Sequence, residues 1–278
     1  MFFRHLKNEL WKLFGKKRTY IGFGAFLLVQ NAMLLCFRFT RWQSDMEKML
    51  AGNGYIAEQY ISALTVAVVM LLPQVMLLMP LYVALVGGDL VAKEAEDGTL
   101  RMILSRPISR FRLLLSKWLA GLFFSFVLVV VLGATALLFA RLWFPWRSMF
   151  IFMPKMVFNV LSASEGFKLY LCSHLFMAVN ASVILGLAFM FSSFNMKPAA
   201  ATILALSFLF VNLVMESIPF FERYHEWLLP YHFRIWLYIY SQPTPWERII
   251  QSLCILTAFS LTTFLIGVAG FQARDIKS

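Results

Sequence analysis

Six apolar runs, each about as long as a bilayer is thick, constrain this chain more than any other feature. They cover residues 20–37, 61–86, 118–140, 169–191, 198–215 and 249–271. A helix rises ~1.5 Å per residue, so roughly 20 apolar residues cross a ~30 Å hydrocarbon core. Lipid offers no partner to open backbone groups, which leaves helices as the form such runs take. The fold class read from them is all-α: a polytopic membrane protein with six transmembrane helices, forming a single domain over residues 1–278. Composition agrees, since 60% of residues are hydrophobic and only 14% charged, against about a quarter in soluble domains. The net charge of +11 sits beside the apolar runs and not in a separate hydrophilic domain. It therefore speaks for membrane topology and membrane lipid, with no nucleic acid as partner.

Basic residues collect on the cytoplasmic side of short loops. Fifteen of the 25 lie before the first run, between the second and third, at Lys197 and at the C-terminal end. A multi-pass protein of the cell membrane with both termini in the cytoplasm is accordingly expected. Residues 1–19 read as an amphipathic interfacial helix, because Phe2, Phe3, Leu6, Leu10, Leu13 and Phe14 recur at helical spacing among basic residues. Pro73 and Pro80 should tilt or kink the second run. The external stretch 142–168 reads as an interfacial segment at the aromatic belt. The stretch 216–248, rich in aromatics and proline, reads as external and able to re-enter the membrane if buried against protein. Cys36, Cys172 and Cys254 all fall in apolar runs and read as buried apolar residues.

The interval 87–117 reads GGDLVAKEAEDGTLRMILSRPISRFRLLLSK and has a clear local grammar. Asp89 can cap a short helix over residues 92–96, and Gly98 can stop it in the left-handed conformation. Pro107 then breaks the chain, and Ser109 can cap the helix entering the third run. A short acidic helix beside arginines makes a projecting knob suited to docking. The plain alternative for Glu94, Glu96 and Asp97 is a solvated face balanced by Lys93 and Arg101. Arg106 and Arg110 can equally hold phospholipid headgroups.

Nothing suggests catalysis. No glycine-rich phosphate loop ends in Lys and Ser or Thr, and His5, His174, His225 and His232 lack metal-site spacing. Glu94 and Glu96 belong to the cytoplasmic loop and His174 to an outer part of a span, so they cannot form one acid–base site. His174 reads as a helix-to-helix hydrogen-bonding residue. Gln74, Asn180 and Asn212 are polar at membrane depth; they can line a pathway or tie helices together.

Glu94, the Gly98-Thr99-Leu100 triplet, the SRPISR run from Ser105 to Arg110 and Lys117 together resemble the signature loop of type-2 ABC exporter permeases. Phe271, Arg274 and Asp275 are similar to that family's closing motif, and the layout matches over essentially the whole chain. The resemblance implies a pair of such subunits, or two related ones, above separate ABC ATPase subunits that bind ATP and Mg; this chain itself would bind no cofactor. It also implies that Lys93, Glu94, Glu96, Asp97, Gly98 and Thr99 form a coupling helix against the ATPase, with Arg106, Pro107, Ser109 and Arg110 anchoring the loop. Export of an unidentified substrate is then the expected function. An ATP-driven transmitter that moves no solute would keep the same loop.

Overall fold

A computed structural model describes residues 2–105, 108–153 and 156–274. Arg106, Pro107, Asp275 and Lys277, which figure in the sequence reading, lie outside the described residues. Among the described residues six helices are long and apolar enough to cross a membrane, and the chain is an all-α polytopic membrane protein. The helix before the first span and the end of the sixth span both lie beside the start of the third span, at what is here called the terminal end of the bundle.

Helix α1 (Phe2–Gly15) precedes the first span, α2 (Lys17–Phe39). The Thr19 hydroxyl donates to the Leu13 carbonyl, and the Tyr82 hydroxyl to the Thr19 carbonyl, fixing the corner between them. Tyr82 lies over Gly22, where a Cβ would meet its ring at 2.2 Å. At the far end come α3 (Arg41–Gly52), started by the Thr40 hydroxyl, and the short α4 (Ala57–Tyr60).

The second span is composite: α5 (Ala63–Pro73), a π-turn over Gln74–Leu78, and α6 (Met79–Glu96). Pro73 and Pro80 lack N–H donors, and the wider turn sits between them, closed by Met79 N–H to the Gln74 carbonyl. Contrary to the sequence reading, no separate helix begins at Asp89. The helix runs unbroken to Glu96, so Asp89 is a mid-helix residue and caps nothing. Gly87 and Gly88 do not break the helix; they let neighbours approach. A Cβ on Gly87 would meet Ala188 Cβ at 2.9 Å, and one on Gly88 would meet Thr202 Oγ1 at 2.3 Å. Gly98 does end the helix, at φ +71°, and α7 (Thr99–Leu104) follows.

The third span, α8 (Arg110–Trp143), starts at the expected Ser109 cap, whose hydroxyl accepts from Arg112 N–H. It is longer than its apolar run because Lys117 and Arg110 end hydropathy without ending a helix. The segment read as an aromatic-belt stretch contains a two-stranded pairing, β1 (Met149–Met153) antiparallel to β2 (Val157–Leu161), which the sequence reading did not foresee. Phe150 N–H donates to Thr65 Oγ1 and Ala63 N–H to the Pro145 carbonyl, so this connection seals the start of α5.

The fourth to sixth spans are α9 (Ala163–Ser193), α10 (Pro198–Ser217) and α13 (Trp246–Gln272). Helix α9 is the bundle's centre, packed on α6, α8, α10 and α13. Helix α10 buries only Pro198, Ala201, Ala205 and Leu209. Before α13 lie a 3₁₀ segment, Pro219–Trp227, and the short α11 (Leu229–His232) and α12 (Ile235–Tyr238). Residues 235–240 are buried against α9 and α13, as a segment re-entering lipid requires. All three cysteines correct the sequence reading: they are exposed on the outer faces of the spans, where an apolar position satisfies lipid as well as a core does.

Candidate functional site

Four charged side chains meet where α1, α6 and α8 converge at the terminal end. Lys117 Nζ, 1% exposed, lies 2.8 Å from Glu9 Oε2 and 2.8 Å from Glu94 Oε2. The Glu94 contact is ionic, without hydrogen-bond alignment. Lys12 Nζ reaches the other two oxygens, Glu9 Oε1 and Glu94 Oε1, each at 2.8 Å. Two ammoniums and two carboxylates thus alternate in a closed, neutral ring, so charges that burial alone would penalise offset one another. Burial pushes the Glu9 carboxyl up, but the Lys117 charge and the bonds from Lys117 and Lys12 outweigh it and hold Glu9 below its usual range. Burial pushes Lys12 down, while bonds to Glu9 and Glu94 carry it above its usual value.

The ring ties three elements into one unit. Leu6, Leu10, Leu13 and Phe14 of α1 pack on the core, which turns Glu9 inward; Lys117 points back from the buried side of α8. Arg18 adds a contact to Asp89 at 3.1 Å. Beyond the ring, the tip of α6 faces outward. Glu96, Asp97 and Gly98 are exposed, while Lys93 bridges to Glu96 at 2.8 Å and Asp97 at 3.1 Å. The Thr99 hydroxyl donates to the Glu94 carbonyl across the Gly98 turn. A groove of about 1050 Å³ runs between α1, the tip of α6 and α7, bordered by His5, Trp11, Lys16, Asp97 and Met102.

Of the residues read as a loop anchor, Arg110 is placed in detail. Its guanidinium donates to the carbonyls of Gln272 at 3.0 Å and Arg274 at 3.1 Å, closing the C-terminal end of α13. Two motifs some 160 residues apart in the sequence, one holding Arg110 and one holding Phe271 and Arg274, are neighbours in space.

The polar residues at membrane depth separate into two kinds. Gln74 Nε2 donates to the Met70 carbonyl, and Gln30 Nε2 to the Leu132 carbonyl and to Gln74 Oε1, tying α2, the π-turn and α8 together. Asn180 Nδ2 donates to the Phe233 carbonyl and so holds the segment after α11. Asn212 faces out of the bundle and bonds within its own helix. His174 bonds to Tyr170 of its own helix and packs on Gly133 of α8, so it joins helices by shape and not by an interhelical hydrogen bond.

Glu9, Lys12 and Gln30 were not singled out by the sequence. The available signal was that Glu9 is the sole acid among the first 44 residues, in a strongly basic stretch. Lys117 carried a similar sign, standing directly before an apolar run.

The family profile described as ABC-2 family transporter protein matches residues 17–227. The Uncharacterized protein YhcI of Bacillus subtilis (strain 168) is 36% identical over 59 residues, which spans 20% of this chain and 19% of that protein. The matched region contains five of the six spans, the ionic tip of α6 and the Ser109 cap, and the chain belongs to the ABC-2 family of transporter proteins, as a membrane-spanning permease subunit.

Proposed function

We propose that this subunit couples ATP hydrolysis by a separate ABC ATPase to the export of a substrate, working as a pair of permeases with both termini in the cytoplasm. ATP and Mg reside on the ATPase. The observation that carries this reading is the ionic ring of Glu9, Lys12, Glu94 and Lys117, with Glu9 and Lys117 buried. A helix tip that takes up force from a partner must not yield locally, and an ion cluster whose Lys117 ammonium is out of solvent braces it against two other helices. Lys93, Glu96, Asp97, Gly98 and Thr99 form the docking face. Glu94 serves from behind as the brace, a change from the role expected of it as a direct contact.

Purification of the tagged chain in mild detergent, with identification of bound proteins and an ATPase assay, tests this. Wild type should retain an ABC ATPase in stoichiometric amount. Glu96→Lys with Asp97→Lys should lose the ATPase at unchanged thermal stability, whereas Glu94→Lys should lose both. Recovery of the chain alone, with topology intact, refutes the reading.

A further inference from the structure

A groove of about 700 Å³ opens at the far end, where the first and third spans finish, away from the ionic ring and the tip of α6. Two groups of side chains border it. Arg38, in the last turn of α2, donates from Nη1 to Gln43 Oε1 at 3.2 Å, and Gln43 Nε2 donates to Glu47 Oε1 of α3 at 2.9 Å. Arg147, which follows α8, donates from Nη1 to the backbone carbonyl of Glu58 in α4 at 2.8 Å. Each group thus brings one guanidinium and one carboxylate to the groove. Both guanidiniums rest on neutral oxygens, and among the described residues neither Glu47 nor Glu58 forms an ion pair. Lys48 also lines the groove, but it lies 3.9 Å from Asp45, so that pair adds no net charge.

Balanced charge of this kind selects its ligand. A purely anionic molecule would meet Glu47 and Glu58, and a purely cationic one Arg38 and Arg147, so like charges oppose both. A zwitterion meets neither objection: a phosphate suits the planar forks of the two arginines, and an ammonium donates to the two carboxylates. The position of the groove supplies the rest of the molecule. Arg38 and Trp143 stand at the ends of two spans, the level at which aromatic side chains meet lipid headgroups. Trp143 lines the groove and lies edge-on to Phe39, with ring centroids 6.1 Å apart. From there the exposed Leu35 and Phe39 of α2 and Leu138 and Leu142 of α8 continue along the spans as apolar surface for acyl chains.

We propose that this groove binds the headgroup of a zwitterionic phospholipid bearing a primary amine, of the phosphatidylethanolamine type, from the leaflet at the far end. The phosphate lies between Arg38 and Arg147, and the ammonium between Glu47 and Glu58. A choline headgroup has no N–H to donate, and an anionic headgroup has no ammonium, so both bind less well. The site needs no ATPase and stands apart from the transport reading.

Labelling of a cysteine placed at Ala51, which lines the groove, tests this in nanodiscs, with Cys36, Cys172 and Cys254 replaced and an uncharged maleimide as reagent. Discs containing phosphatidylethanolamine, compared with phosphatidylcholine alone, should slow labelling about tenfold, the worth of one hydrogen bond to a charged group. A cysteine placed at Asn53, outside the groove, should react equally in both. Arg38→Gln with Arg147→Gln should abolish the protection at Ala51. Glu47→Gln with Glu58→Gln should transfer it to phosphatidylglycerol, whose phosphate then meets no carboxylate. Equal protection of the wild type by phosphatidylethanolamine and phosphatidylglycerol, or protection by neither, overturns the zwitterionic site. Protection that survives replacement of both arginines overturns the placing of the phosphate. Protection by dissolved phosphoethanolamine in phosphatidylcholine discs overturns the lipid as occupant.

Discussion

Lys117 Nζ lies 2.8 Å from Glu9 Oε2, a residue 108 positions earlier, and the ammonium is almost wholly out of solvent. Through this contact α1 is bound to the base of a spanning helix. The pair is completed by Glu94 and Lys12, so neither carboxylate and neither ammonium is left over.

Removing the central cation should therefore be costly. Lys117→Met leaves Glu9 and Glu94 facing each other with only the more exposed Lys12 between them. A loss on the order of 3 kcal/mol is expected, measured as a lowered unfolding midpoint in nanodiscs. Adding Glu94→Gln to Lys117→Met should recover part of it, because the buried negative charge is then reduced. Equal midpoints for the single and double variants would contradict the ring's electrostatic role.

The hold of α1 should depend on pH in a definite direction. Glu9 is depressed from 4.5, so its contribution is complete above that value and disappears as pH falls through the lower, folded one. Lys12 is raised from 10.5, so its contribution is complete below that value and disappears as pH rises through the higher, folded one. A spin label at Phe3 should stay immobile from about pH 5 to 10 and loosen below about 4.5. Glu9→Gln should remove the acid transition.

Gly133 should tolerate no side chain while His174 is present. A Cβ there would fall 1.9 Å from His174 Nε2. Gly133→Ala should cost about 2 kcal/mol through overpacking. Combining it with His174→Ala should return most of that loss, a coupling that a thermal-shift double-mutant cycle reads directly.

The buried segment before α13 rests on two amides reaching its carbonyls. Asn180 holds Phe233 at 2.7 Å and Asn159 of the hairpin holds Tyr240 at 2.7 Å. Asn159→Ala and Asn180→Ala should each cost roughly 1 kcal/mol. Each should also raise the labelling rate of a cysteine placed at Ser241. Unchanged labelling would mean that Trp236 and its apolar neighbours hold the segment alone.

The spans were legible because hydropathy is a local property and lipid enforces it residue by residue. Pro73, Pro80, Gly98 and Ser109 also acted as the sequence indicates, since each constrains only its own few residues. Asp89 misled because a capping side chain is a local signal, whereas the helix is carried through Gly87 and Gly88 by their packing on α9 and α10. The hairpin was hidden because the Phe and Met residues of 149–158 look the same in a strand as at an aromatic belt. The ring was illegible for a different reason. Its members lie at positions 9, 12, 94 and 117, and no periodicity links residues whose meeting depends on three helices being placed first.

Arg110 and the end of α13 carry a consequence for biosynthesis. The guanidinium leaves the ribosome some 160 residues before the carbonyls of Gln272 and Arg274 that receive it. Until the last helix is inserted, the third span has a cation at its mouth with these acceptors still unmade. The terminal end is therefore completed last. A nascent chain halted before α13 differs from the finished protein at the start of its third span as well as in its missing last helix.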